Sequence, residues 1–69
     1  MDAVEKELQS RKKEIQKELE LLFKTNMRIT DWDVPEADDR KAANIIVTML
    51  QDTLNTIKND IEAGKYDNY

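Results

Sequence analysis

The sequence predicts an all-α protein, an antiparallel hairpin of two long helices joined by one turn. Three observations lead to this fold class. Pro35 is the only proline in the chain, and no glycine occurs before Gly64. Apolar residues recur at helical spacing on both sides of the proline. The hairpin is therefore expected to be coiled-coil-like, with its turn close to the proline.

The first helix is predicted over residues 2–26. Its apolar residues lie on one stripe of a helical wheel. The members of this stripe are Val4, Leu8, Ile15, Leu19 and Leu22. Residues 4 and 15 are spaced by eleven, which indicates a nearly straight path and not a long leucine zipper. Two oppositely charged i, i+4 pairs, Glu7 with Arg11 and Glu20 with Lys24, are each expected to stabilise this helix by about 0.2–0.5 kcal/mol.

The turn is predicted over residues 27–34, where the apolar periodicity is lost. Proline disfavours helical geometry at the residue before it, so Val34 should not be helical. Asp33, followed by Pro35 and then Glu36, resembles a helix start, with an acceptor side chain, an early proline and an acid three residues on.

The second helix is predicted over about 35–63 and is expected to end at Gly64, the residue best able to adopt left-handed backbone geometry. Residues 64–69 are expected to form a flexible tail. Folding around a turn near residue 30 pairs residues whose numbers sum to about 61, for example Ile15 with Ile46. Between residues 42 and 50 the apolar arc of the second helix is wider than one neighbouring helix covers.

The size of the chain indicates that it needs a partner. Sixty-nine residues are few for a generous hydrophobic core. Without cysteine or histidine, the chain lacks the residues for a disulfide or a structural zinc site. Association is the remaining common remedy. We therefore expect the hairpin to be completed to a four-helix bundle, by dimerisation or by another protein.

Charge and hydropathy narrow the classes of partner. The net charge is −4, and residues 1–28 hold seven basic and six acidic residues, whereas residues 29–69 hold four and nine. This balance repels a phosphate backbone, so nucleic acid is not an expected partner. No apolar stretch approaches the roughly 20 residues that span a bilayer. A cytoplasmic protein is expected, without a membrane span and with the nucleus as a further possible compartment.

The surface expected to bind a protein partner is the apolar excess of the second helix, because exposed apolar patches mark interfaces. The residues assigned to this surface are Ile45, Ile46, Val47, Met49, Leu50, Leu21 and Trp32. Trp32 has two interpretations. It either packs over the open end of the hairpin with Phe23 and Ile29, or it faces a partner, where tryptophan is enriched among energetically dominant residues.

Residue types for chemistry are scarce, so no catalytic residue, cofactor, metal ligand or small-molecule substrate is predicted. The acids from Asp31 to Asp39 do not fit a calcium loop, because counting from Asp31 puts Glu36 where the required glycine belongs and Ala42 where the closing acid belongs. The sequence Tyr66-Asp67-Asn68 matches a short pattern read by some phosphotyrosine-binding domains, but a match of three residues often arises by chance, and a flexible solubilising terminus is the preferred account.

The sequence therefore predicts a non-enzymatic interaction module, an adaptor or assembly subunit that docks through the second helix onto itself or a larger assembly. The alternative is a small acidic regulator or chaperone that shields a basic or apolar surface on a client protein.

Overall fold

The computed structural model describes residues 2–69, and within that range the chain is all-helical without a strand. The helices are α1 (Ala3–Ser10), α2 (Lys12–Asp33) and α3 (Asp39–Glu62). The molecule measures 49 × 27 × 17 Å along its principal axes. The predicted fold class is thus confirmed as all-α, although the predicted helix boundaries change.

The first predicted helix is interrupted at Arg11, which has φ −107° and ψ 6°. In a regular α-helix the Arg11 amide would donate to the carbonyl of Glu7. That carbonyl instead accepts a hydrogen bond from the Ser10 hydroxyl at 2.6 Å, and the Arg11 amide donates to the Leu8 carbonyl at 3.1 Å. A serine side chain that competes for a backbone acceptor therefore separates α1 from α2.

Both predicted i, i+4 charge pairs form. The guanidinium of Arg11 lies 3.9 Å from the Glu7 carboxylate, and Lys24 Nζ lies 3.1 Å from Glu20. Arg11 also lies 4.0 Å from Glu14, so it spans the interruption between α1 and α2. These pairs are exposed, and each contributes little to stability.

The predicted turn over residues 27–34 is wrong, because α2 continues through Asp33. Two polar side chains continue the packed face of α2 beyond the point where the apolar pattern ends. Asn26 Nδ2 donates to the Leu22 carbonyl at 2.8 Å, and the Thr30 hydroxyl donates to the Asn26 carbonyl at 2.9 Å. Because each side chain donates a hydrogen bond within the helix, these polar residues can occupy the packed face of α2.

The true connection is a turn over residues 34–37, in which the Ala37 amide donates to the Val34 carbonyl at 2.9 Å. Pro35 occupies the second position of this turn, where its fixed φ is favourable. Asp38 then caps α3, and its carboxylate accepts from the amides of Arg40 and Lys41 at 3.0 and 3.2 Å. The second helix therefore begins at Asp39 and not near residue 35, and Asp33 is not its cap.

The prediction for the end of α3 is confirmed. Gly64 has φ +85°, its amide donates to Ile61, and the amide of Lys65 donates to Asp60. This pair of bonds is the Schellman arrangement, which requires a left-handed residue after the helix. The chain then continues in turns through residue 68, and the rings of Tyr66 and Tyr69 meet edge to face at 5.7 Å.

Packing between α2 and α3 is concentrated near their connection. The partly buried residues there are Phe23, Asn26, Met27, Thr30, Ala37, Ala42, Ala43, Ile46 and Leu50. Every residue from 2 to 22 and from 51 to 59 is exposed, and α1 does not contact α3. No side chain in residues 2–69 is fully buried, so the hairpin lacks a core of its own.

The register of the hairpin also differs from the prediction. The turn lies near residue 36 instead of residue 30. Residues at the same level of α2 and α3 therefore have numbers that sum to about 72 and not to 61. The lining of the groove fits this register, since Leu22, Asn26 and Thr30 come from α2, and Leu50, Ile46 and Ala42 come from α3. Ile15 is therefore not opposite Ile46.

Two carboxyl groups meet across the connection, Asp31 in the last turn of α2 and Asp39 in the first turn of α3. A side-chain hydrogen bond with Asp39 raises the pKa of Asp31 above its usual 3.8, and desolvation and the charge of Asp39 raise it further. Folded Asp31 thus keeps its proton to a higher pH than unfolded Asp31. Stability conferred by this pair must fall as the pH rises from about 3.8 through the raised pKa.

Replacing Asp31 by asparagine is expected to raise the melting temperature at neutral pH, because the amide can donate to Asp39 without adding charge. Thermal unfolding followed by circular dichroism over a pH series measures the difference from the wild type. That gain should vanish below the usual pKa of aspartate. Asp33→Asn removes the same charge two residues away and serves as the control. A gain that is independent of pH would contradict this account of the pair.

Candidate interaction surface

An open groove of about 630 Å³ runs between α2 and α3 near their connection. Its lining residues come from both helices and from the end of the turn. They are Leu22, Asn26, Thr30, Ala37, Asp38, Lys41, Ala42, Ile45, Ile46, Met49 and Leu50. The apolar members of this set dominate, so the groove presents a water-accessible apolar surface on one side of the hairpin.

Ile45 and Met49 form a ridge along one side of this groove, 46% and 62% exposed. The same two residues also line a neighbouring concavity on the outer side of α3, together with Asp38, Arg40, Lys41, Asn44 and Thr48. The ridge therefore stands between two concave surfaces. We name these two residues the α3 ridge.

The polar groups of the groove are mostly occupied within the chain. Asn26 and Thr30 donate to carbonyls of α2, and the Asp38 carboxylate accepts from two amides of α3. A small-molecule site needs polar groups that converge on the ligand and walls that enclose most of it. This groove is open along its length, which suits a helix of another chain better than a small ligand.

The structure gathers four of the seven predicted partner-binding residues at the groove. Ile45 and Met49 form its ridge, and Ile46 and Leu50 are partly buried along its wall. Val47 is exposed on α3 outside both concavities. Leu21 is 60% exposed on α2, and its neighbour Leu22 takes the groove position instead.

Trp32 lies apart from the groove and is 85% exposed. The expectation that it packs over the end of the hairpin with Phe23 and Ile29 is wrong, because α2 continues past these residues and turns Trp32 to solvent. It lines a separate shallow concavity with Arg28, Ile29 and Asp31. Trp32 therefore does not belong to the same surface as the α3 ridge.

Sequence reasoning missed the α2 side of the groove, which Leu22, Asn26 and Thr30 supply. Their i, i+4 spacing was a usable signal, since it continues the stripe of Ile15, Leu19 and Leu22 along one helix face. Asparagine and threonine are polar, which argues against a place in an apolar groove. Their local hydrogen bonds remove that objection.

Beyond the groove, the apolar stripes of both helices continue uncovered toward the free ends of the hairpin. The exposed members of these stripes are Val4, Leu8, Ile15, Leu19, Leu54, Ile57 and Ile61. Exposed apolar side chains at helical spacing therefore continue from the groove along α2 and α3. Soluble monomers rarely expose large apolar patches to water.

Other kinds of site find little support in the described range. No group of three or more potential metal ligands occurs in residues 2–69. No helix in that part of the chain is long and apolar enough to cross a membrane. The carboxyl pair of Asp31 and Asp39 is exposed at the connection, and Asp31 does not line the groove.

No protein-family model matches the chain, and neither a curated protein nor a solved structure matches it.

Proposed function

We propose that the chain is a non-enzymatic interaction module that binds a protein partner through the groove and the α3 ridge. The observation that carries this proposal is the lack of any fully buried side chain in residues 2–69 beside an apolar groove that is open to water. Burial of apolar surface is the main source of folding free energy. A hairpin without a core gains that burial by binding another polypeptide.

The α3 ridge is the expected anchor of the contact. Met49 is unbranched and adapts to irregular surfaces, and Ile45 adds a rigid branched side chain beside it. Transfer of both from their present exposure into a partner would contribute about 2–3 kcal/mol, since full burial of one such side chain contributes roughly 1.5–3 kcal/mol. Lys41 and Asp38 at the groove end would restrict the orientation of the partner.

The alternative function, an acidic regulator that shields a basic surface of a client, would use the connection as its contact. Five carboxylates lie between residues 31 and 39 without a basic residue among them. We favour the apolar interface, because it extends along both helices, whereas the acidic segment is confined to one end. High salt would abolish the charge-led contact and leave the apolar one nearly unchanged.

Site-directed photocrosslinking tests the proposed surface. A benzoylphenylalanine at position 49 of the whole chain, expressed in the cells of its source, is expected to form an adduct with another polypeptide. The matched control is the same group at position 51, an exposed position two residues along α3 and outside both concavities. Equal adduct yields at the two positions, or none at either, would contradict the proposal.

A further inference from the structure

We propose that the partner is a second copy of this chain, and that two hairpins pack apolar face to apolar face as a four-helix bundle with their turns at opposite ends. This inference rests on the proposed function, because it names the occupant of the same surface. Three observations carry it: the exposed area, the shape of the apolar face, and the distribution of charge between the two ends of the hairpin.

The exposed area is that of a dissociated subunit. The chain exposes 6446 Å², whereas a compact protein of 8.1 kDa would expose only about 4,500 Å². The excess, roughly 1,900 Å², falls in the range that each chain of an obligate dimer buries, about 1,000–2,500 Å². One further hairpin of the same size therefore suffices to cover the surface that this chain leaves open.

The shape of the face is self-complementary. A single layer of two helices needs a second layer against its apolar side, and an identical hairpin supplies one. A two-fold axis matches the same patch on both chains. The chain carries both halves of such a contact side by side, since the α3 ridge adjoins the part of the groove lined by Leu22 and Leu50. Leu22, Met49 and Leu50 lie near the midpoints of α2 and α3. With the turns at opposite ends, Met49 of each copy would therefore meet the groove of the other copy at this level.

The charges favour one orientation of the two hairpins. Residues 31–39, at the connection, hold five acids and no base, whereas residues 11–17, near the free end of α2, hold four bases and one acid. Turns at the same end would bring two acidic segments together at a Coulombic cost. Turns at opposite ends place each acidic segment near the basic segment of the other copy. The dimer then contains two equivalent contacts between opposite charges.

Sedimentation equilibrium of the purified chain over a concentration range of about a hundredfold tests the stoichiometry. A molar mass that rises toward twice 8.1 kDa is expected. Met49→Asp should weaken dimerisation about a hundredfold, because it brings a charge into the contact. Gln51→Asp introduces the same residue at an exposed position and should leave the association unchanged.

A charge-swap experiment tests the orientation. The first variant, Lys13→Glu/Lys17→Glu, makes the basic segment acidic, and the second, Asp33→Lys/Glu36→Lys, makes the connection less acidic. All four positions are exposed, so the helices should be retained. Each variant alone should self-associate about tenfold more weakly than the wild type, whereas an equimolar mixture should form a heterodimer that associates more tightly than either variant alone, because it restores one acidic-to-basic contact.

The outcomes separate this inference from the proposed function. A single-chain mass at every concentration would overturn the dimer, while an adduct at position 49 with a different polypeptide would still support an interaction module. A Met49→Asp chain that stays helical and dimeric would overturn the assigned face. If the Lys13→Glu/Lys17→Glu variant dimerised as tightly as the wild type, the proposed orientation would be overturned. If Met49→Asp loses its helical circular dichroism, the mixture of the two charge-swap variants tests the dimer instead. Tighter association in the mixture than in either variant alone requires contact between two copies of the chain.

Discussion

Replacing Ile46 by aspartate is expected to unfold the hairpin. Ile46 is partly buried in the contact between α2 and α3 and lies on the α3 side of the groove, near Asn26 of α2. An introduced carboxylate there would lose part of its hydration against the apolar side chains of the contact, and Lys41, the base that lines the same groove, is itself exposed. We expect a loss of about 2–3 kcal/mol, less than for a fully buried charge because the contact is open on one side.

This loss is large for a chain of this size. Small domains have only a few kcal/mol of stability, so a change of this size removes most of it. Urea unfolding followed by far-ultraviolet circular dichroism, at one fixed protein concentration, measures the effect. Gln51→Asp is the matched control, since it places the same residue on the exposed side of α3, and it should cost only a few tenths of a kcal/mol in helix propensity. Equal losses in the two variants would show that the contact beside the groove does not hold the hairpin together.

Removing the Asp38 carboxylate is expected to cost about 1 kcal/mol of unfolding free energy. This side chain accepts two hydrogen bonds from the first amides of α3, and without it those amides have no acceptor within the chain. Asp38→Ala should therefore destabilise α3, with the first turn of the helix affected most. The same chemical-denaturation experiment measures the change.

Two control variants identify the origin of this effect. Asp38→Asn keeps an oxygen acceptor and removes the charge, so it should recover most of the stability. Asp33→Ala tests the residue that the sequence pattern predicted as the cap, and it should have little effect. If Asp33→Ala were the more destabilising of the two alanine variants, α3 would begin earlier than Asp39.

The fold class was predictable because the strongest signals agree. One proline between two apolar stripes leaves a helical hairpin as the simplest arrangement, and Gly64 marks the end of α3 by the one backbone geometry that favours glycine. The all-α class, the end of α3 and the two charge pairs of the first predicted helix depend on short-range rules. These rules remain valid whatever the rest of the chain does.

The turn was misplaced because polar residues that bond to their own helix look like helix-ending residues in a sequence. Asn26 and Thr30 use their donors on carbonyls four residues earlier, and α2 continues through them. Asp33 and Asp38 are equally good caps by composition. Only the turn over residues 34–37 decides between them, because its hydrogen bond delays the start of α3.

The interruption at Arg11 was not predictable from apolar spacing, because the stripe passes through it without a change. It depends on whether the Ser10 hydroxyl takes the Glu7 carbonyl from the Arg11 amide. Many serines in helices point to solvent instead. The sequence therefore permits the break without requiring it.

The candidate surface was predicted on α3 and missed on α2. Ile45 and Met49 were identified because the apolar arc of α3 is too wide for one neighbour, and this argument does not require the register to be known. Leu21 was chosen from the predicted register and Trp32 from its residue type, and both lie outside the groove. Leu22 lines the groove because it belongs to the stripe that Asn26 and Thr30 continue along α2.

The concentration of the α2–α3 contact near the connection fixes the order in which a solitary chain comes apart. Amide protons near residues 26 and 46 should exchange most slowly with deuterium, and those near the two free ends should exchange first. An endoprotease would likewise cleave within α1 and the last turns of α3 before it cleaved the connection between α2 and α3. The hairpin is therefore expected to open from its two free ends, and the end that contains Pro35 should separate last.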